Sequence, residues 1–159
     1  MQIRECMNRE IVSVRTTSTL GEAANVLVEK RVGLLPVTDD ARKLVGVIGL
    51  SEILALCLPA VIDLIDDLDF VRDFGALEEM CISPEMRARQ ILSFMREPIS
   101  VQETTGLLRA YTMMLQHRLH DMPVVKPNGT LVGSISRVDI GTAFLAKGET
   151  DSLSIAQKA

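Results

Sequence analysis

The sequence predicts an α/β (α+β) protein: two pseudo-symmetric β-α-β-β-α units with a helical insertion between them. The chain repeats itself, and each copy switches between extended runs and helical periodicity in the same order. An apolar and acidic segment without a counterpart separates the copies.

Sliding the chain by 87 positions lays residues 4–54 on 91–141, and fifteen of those 51 pairs are identical. They include Arg9/Arg96, Ser13/Ser100, Leu20/Leu107, Arg31/Arg118, Pro36/Pro123, Gly46/Gly133 and Ile53/Ile140. Identities spread over the full unit mark two copies of one supersecondary element. The divisions that follow are a first domain at 1–54, a helical insertion at 55–90, a second domain at 91–146 and a flexible tail at 147–159.

Within each copy the elements follow in order. Residues 11–14 (IVSV) and 99–101 (ISV) are short extended runs. Thr19 with Glu22 three residues on has the spacing of a capping box, so a helix starts there. Leu20, Ala23, Ala24 and Leu27 give that helix its apolar stripe, and Leu107, Ala110, Tyr111, Met114 and Leu115 give the second copy's. Pro36 and Pro123 open strands, a position where proline is tolerated. Asp39-Asp40 and Pro127-Asn128-Gly129 are turns. Residues 44–48 and 131–135 return as paired strands, and second helices begin near Ser51 and Arg137. In the insertion, the helix from Ser51 continues to a kink at Pro59. IDDLDFVRDFGALEE then carries a dense acidic face, with Phe70 and Phe74 opposite it.

Composition narrows the function. A net charge of -4 with scattered basic residues offers no surface for a nucleic-acid backbone. The apolar run at 53–65 is short for a membrane span and contains Asp63. Cys6, Cys57 and Cys81 have no zinc-like spacing, and the start of the chain alternates like part of a fold rather than a signal segment. These features read as a cytoplasmic protein without membrane insertion. No nucleophile stands beside a base, and there is no phosphate loop or HExxH, so the chain reads as no enzyme.

The segment GSISRVD, from Gly133 to Asp139, is the place to look for ligand chemistry. It joins a strand to a helix whose first N–H groups face outward and attract negative charge. Asp139 can serve the helix dipole, or it can accept both hydroxyls of a ribose. Ser136 can cap the helix or donate to a sugar or phosphate oxygen. Arg137 offers paired donors to phosphate, and Gly133 clears space for a planar ring. His117 and His120 flank a helix end, where a histidine gains from the dipole; two histidines alone make no metal site.

Both copies resemble the cystathionine-β-synthase (CBS) domain family, in the tandem form called a Bateman module. The resemblance runs through MNREIVSVRTTSTLGEAANVLVEKRVGLLPVTDDARKLVGVIGLSEIL and MREPISVQETTGLLRAYTMMLQHRLHDMPVVKPNGTLVGSISRVDI, about two-thirds of the chain. It implies two packed domains, clefts between them that take AMP, ADP, ATP or S-adenosylmethionine, with or without magnesium, and pairing into a homodimer. No cofactor is required. By the same resemblance, Asp139 holds ribose hydroxyls, Ser136 assists at ribose or phosphate, and Arg137 belongs to the same segment. Ile99 and Ser100 lie against adenine, Met122 and Pro123 form the opposite wall, and His120 lies near the phosphates.

The first copy departs from this pattern, with Gly49 in place of the hydroxyl and Glu52 in place of the aspartate. One good site centred on Ser136 and Asp139, and a degenerate one near Gly49 and Glu52, are therefore expected. The function implied is an adenosyl-nucleotide-binding regulatory module acting on an unidentified regulated protein. The alternative is a ligand-free structural module that docks a partner through the acidic insertion 55–90.

Overall fold

The computed structural model describes residues 1–57 and 82–156. The kink at Pro59, the acidic face, Phe70, Phe74 and Cys81 lie outside the described residues.

A 3-10 turn at Ile3–Glu5 opens the chain, followed by β1 (Val14–Arg15), α1 (Leu20–Lys30), β2 (Leu34–Thr38), β3 (Leu44–Gly49) and α2 (Leu50–Cys57). α3 (Pro84–Arg87) lies in the last part of the insertion, and after it come a 3-10 turn at Ile91–Ser93, β4 (Val101–Gln102) and α4 (Leu107–Gln116). The chain ends in β5 (Asp121–Val125), β6 (Leu131–Ser136) and α5 (Arg137–Ala156). The two three-stranded sheets have the orders β1-β2-β3 and β4-β5-β6. β4 runs parallel to β5 with Val101 beside Val124, and β5 runs antiparallel to β6 with Asp121 opposite Ser136. The helix α5 continues through part of the segment set apart above as a tail.

Local chemistry explains most element ends. Thr19 accepts the Glu22 N–H at 3.2 Å while Glu22 accepts the Thr19 N–H at 2.8 Å, the capping box expected from the spacing. Leu20, Ala23 and Leu27 face inward, as do Leu107, Ala110 and Met114. Tyr111 and Leu115, expected on the same stripe, sit at its outer edge and are 36% and 49% exposed. The strands β2 and β5 start two residues before their prolines rather than at them. β4 is only two residues long and pairs at Val124 and Val125, so that flank of β5 carries no ladder bond beside Pro123 and the proline is tolerated.

Contacts divide the chain into two compact units that exchange segments of sequence. One contains 1–12, 38–44 and 98–159; the other contains 13–37 and 45–97. In the first, Ile3 and Met7 join Val101, Leu107, Met114, Met122, Val124, Ile135 and Ile140 in the core. Asn8 adds itself to the edge of β6 through two 2.9 Å backbone hydrogen bonds with Ser134. In the second, Ile91 is fully buried and Arg96 pairs with Val47 in the same manner, at 2.9 and 3.0 Å.

These two arms correct the ungapped repeat. Ile3 N–H bonds to Thr105 C=O and Ile91 N–H to Ser18 C=O, so Ile3 corresponds to Ile91. The arms therefore match at a slide of 88, with Gln2/Gln90, Ile3/Ile91 and Met7/Met95 identical, and the rest at 87. The counterpart of Arg96 is Asn8, not Arg9.

Candidate functional site

The strand β6 ends at Ser136 because α5 begins there, and the junction is held by a second reciprocal cap. Asp139 Oδ2 accepts the Ser136 N–H at 2.8 Å and its hydroxyl at 2.7 Å, while Ser136 Oγ accepts the Asp139 N–H at 3.0 Å. The cap fixes the carboxylate's direction. Its other oxygen, Oδ1, has no hydrogen-bond partner among the described residues.

The residues named from sequence fall into two groups. His120, Ser136, Arg137 and Asp139 come together, because the His120 carbonyl accepts the Arg137 N–H at 3.0 Å. His120 is exposed at this corner, and Ser136 and Asp139 are half-buried. Ile99 and Ser100 lie just before β4 and are half-buried. Continuing the parallel register back from Val101 and Val124 sets Ile99 beside Met122.

Three residues are placed differently from the expectation. Met122 is fully enclosed in the core among Ile3, Val124 and Ile135, so only its backbone can present a wall; Pro123, next along the strand, faces the other way. Arg137 turns inward: Nε donates to Leu119 C=O at 2.7 Å and Nη2 to Met114 C=O at 3.1 Å. It thereby ties the last turn of α4 to the loop after it, adding a second donor to the Met114 carbonyl that already accepts the Leu119 N–H at 2.8 Å, so two of its donors are spent as a strut. The space cleared by Gly133 is filled by the Asn8 backbone, because a Cβ there would collide with Asn8 O.

Two neighbours of Asp139 escaped the sequence reading. Asp121 lies opposite Ser136, and burial pushes its carboxyl pKa up; His120 opposes that rise and Asp139 adds to it. The other is the N-terminal arm, which with α5 borders an open pocket of about 500 Å³ lined by Met1, Glu5, Cys6, Asp139, Thr142 and Lys147, among others. Burial, followed by the charges of Asp139 and Glu5, raises the Cys6 thiol pKa, so it is a poor nucleophile. The identity of Gln2, Ile3 and Met7 with Gln90, Ile91 and Met95 was the available signal for this arm.

The first copy is arranged otherwise. Glu52 Oε2 accepts the Gly49 N–H at 2.7 Å, and Oε1 accepts Arg96 Nε at 3.0 Å. Among the described residues no three His, Cys, Asp or Glu side chains gather as a metal site, and no helix is long and apolar enough to cross a membrane.

The arrangement offers two carboxylates at matched strand-to-helix corners, one partly free and one engaged, on a duplicated β-α-β-β-α frame. The CBS domain family model matches residues 3–58 and 88–145. The chain belongs to that family, as a tandem pair forming a Bateman module, a class of regulatory and non-catalytic modules.

Among curated proteins it is similar to the chloroplastic CBS domain-containing protein CBSX2 of Arabidopsis thaliana, 29% identical over 147 residues. That match covers 87% of this chain and 61% of the relative, so the chain spans less than two thirds of the relative's length. Among solved structures it is similar to CBSX2 in complex with AMP, with TM-score 0.70, 25% identity, and coverage of 92% of this chain and 98% of that one. It is also similar to the CBS domain protein PAE2072 from Pyrobaculum aerophilum complexed with AMP, with TM-score 0.64, 26% identity, and coverage of 87% and 89%.

Proposed function

We propose that the chain is an adenosyl-nucleotide-binding regulatory module with one working site, in which Asp139 accepts the ribose hydroxyls. The free Oδ1 of Asp139, aimed by the cap that Ser136 makes to Oδ2, carries this reading. A carboxylate oxygen already oriented accepts hydroxyl donors at little ordering cost. Ser136 keeps the carboxylate in place, exposed His120 is a hydrogen-bond donor for the phosphate end, and Ile99, Ser100 and the Met122-Pro123 backbone are the adenine walls. Arg137 supports the corner from behind. The AMP complexes of the two similar structures support AMP as the first ligand to test. Binding regulates only if the ligand has different affinity for two arrangements of the module, which a partner protein then reads.

Titration calorimetry with AMP, ADP, ATP and S-adenosylmethionine, beside Asp139→Ala, tests the reading. Hydrogen bonds to a charged acceptor are worth about 1.5–3 kcal/mol, so D139A is expected to weaken binding by roughly 10- to 100-fold. Equal affinity in both proteins would overturn the placement of the ribose. Flat titrations across the whole panel would overturn nucleotide binding itself.

A further inference from the structure

Glu52 stands in the first copy where Asp139 stands in the second, yet each of its carboxylate oxygens has a partner. Oε2 takes the Gly49 N–H, and Oε1 takes the Arg96 guanidinium. Gly49 fits this closed arrangement because a Cβ there would stand 2.9 Å from Gly33 O and 3.0 Å from Glu52 Oε2. Arg96 is brought to the spot by its arm, through the two backbone hydrogen bonds with Val47. The same place on the edge of β6 holds Asn8, whose Oδ1 accepts the Glu10 N–H at 2.9 Å. One corner therefore receives a permanent cation from its arm, and the other receives a neutral side chain occupied elsewhere.

We propose that Arg96 sets how many nucleotides the chain holds: its guanidinium takes the Glu52 oxygen that a ribose would need and closes the first-copy site from within. This rests on the reading of Asp139 as the ribose acceptor, because Glu52 is its counterpart. The asymmetry between the copies is then one of charge delivered by the arms, not decay of the corner itself. The pair is part-exposed, with Arg96 at 38% and Glu52 at 22%, so removing it leaves the core untouched.

The test counts bound AMP, by titration calorimetry and native mass spectrometry, on the unchanged protein, Arg96→Asn and Glu52→Asp. Arg96→Asn installs the residue found at the matching place, and Glu52→Asp draws the carboxylate back from the guanidinium by one methylene. One AMP per unchanged chain and two per chain in each variant are expected, with the double variant Arg96→Asn, Asp139→Ala falling back to one. One AMP in all three proteins overturns the role of Arg96 and leaves Asp139 standing, and two on the unchanged chain do the same. None on the unchanged chain but one on Arg96→Asn upholds Arg96 as the block and overturns Asp139 as the working site. No AMP on any of them overturns both.

Discussion

Arg31 and Arg118, identical in the repeat, share a backbone state. Each has a positive φ, 51° and 54°, just after α1 and α4, where the chain must turn out of the helix. The job common to both copies is thus helix termination, usually done by glycine. A third arginine shows what that costs. Arg42 has φ 61° in the turn between β2 and β3, and the matching position in the second copy is Gly129 at φ 83°. Arg42 is exposed, and its backbone makes the turn through the Asp39 carbonyl at 3.0 Å. A left-handed non-glycine residue costs roughly 1–2 kcal/mol, while glycine returns part of that as lost backbone entropy. Arg42→Gly is therefore expected to stabilise the protein by about 0.5–1 kcal/mol, a rise in Tm of about 2 °C for a chain of this size. A fall in Tm on thermal melting would mean that the arginine side chain itself supports the turn.

At the scale of elements, the two arms account for one glycine in each copy. A Cβ on Gly133 would run into Asn8 O, a backbone atom held by its pairing with Ser134. A Cβ on Gly46 would meet Met95 Sδ at 2.5 Å, the end of a side chain that can swing aside. Gly133→Ala should then cost about 1–3 kcal/mol by overpacking, and Gly46→Ala distinctly less, as read from urea midpoints. Equal costs would mean that the Asn8 arm yields as easily as a methionine. This contrast also marks how far the sequence could be read. The repeat, the Thr19–Glu22 cap and the strand-to-helix corner at Ser136 and Asp139 are local, written in spacing, and were legible. The arms are not: Gln2, Ile3 and Met7 make a segment too short for a period to be read, and the carbonyls of Glu103, Thr105 and Ser134 that their arm bonds lie about a hundred residues away. The inward turn of Arg137 was hidden for the same reason, because the carbonyls of Met114 and Leu119 that it meets are tertiary partners. Met122 followed the wall expected of its family segment, while strand alternation had already placed it with Val124 on the core face.

For the whole molecule, the exchange of segments makes the second repeat depend on the first residues of the chain. Ile3 and Met7 belong to its core, and burying such side chains is worth about 1.5–3 kcal/mol each. Ile3 and Arg4 donate to the carbonyls of Thr105 and Glu103 at 2.9 Å, and Asn8 exchanges two backbone bonds with Ser134. Each such bond contributes a net of about 0.5–1.5 kcal/mol. Together these reach the order of 5–10 kcal/mol, comparable with the whole stability of an ordinary domain. Removing residues 1–8 should therefore unfold the unit that holds Asp139 and abolish AMP binding, although no proposed ligand contact is deleted. The other unit keeps its own arm, with Ile91 buried and Arg96 on Val47. Hydrogen exchange on the truncated chain is expected to show β5, β6 and α4 losing protection while α1 keeps it. Loss of protection in α1 as well would show that the two units unfold as one, and that the arms transmit stability through the whole module rather than to one half.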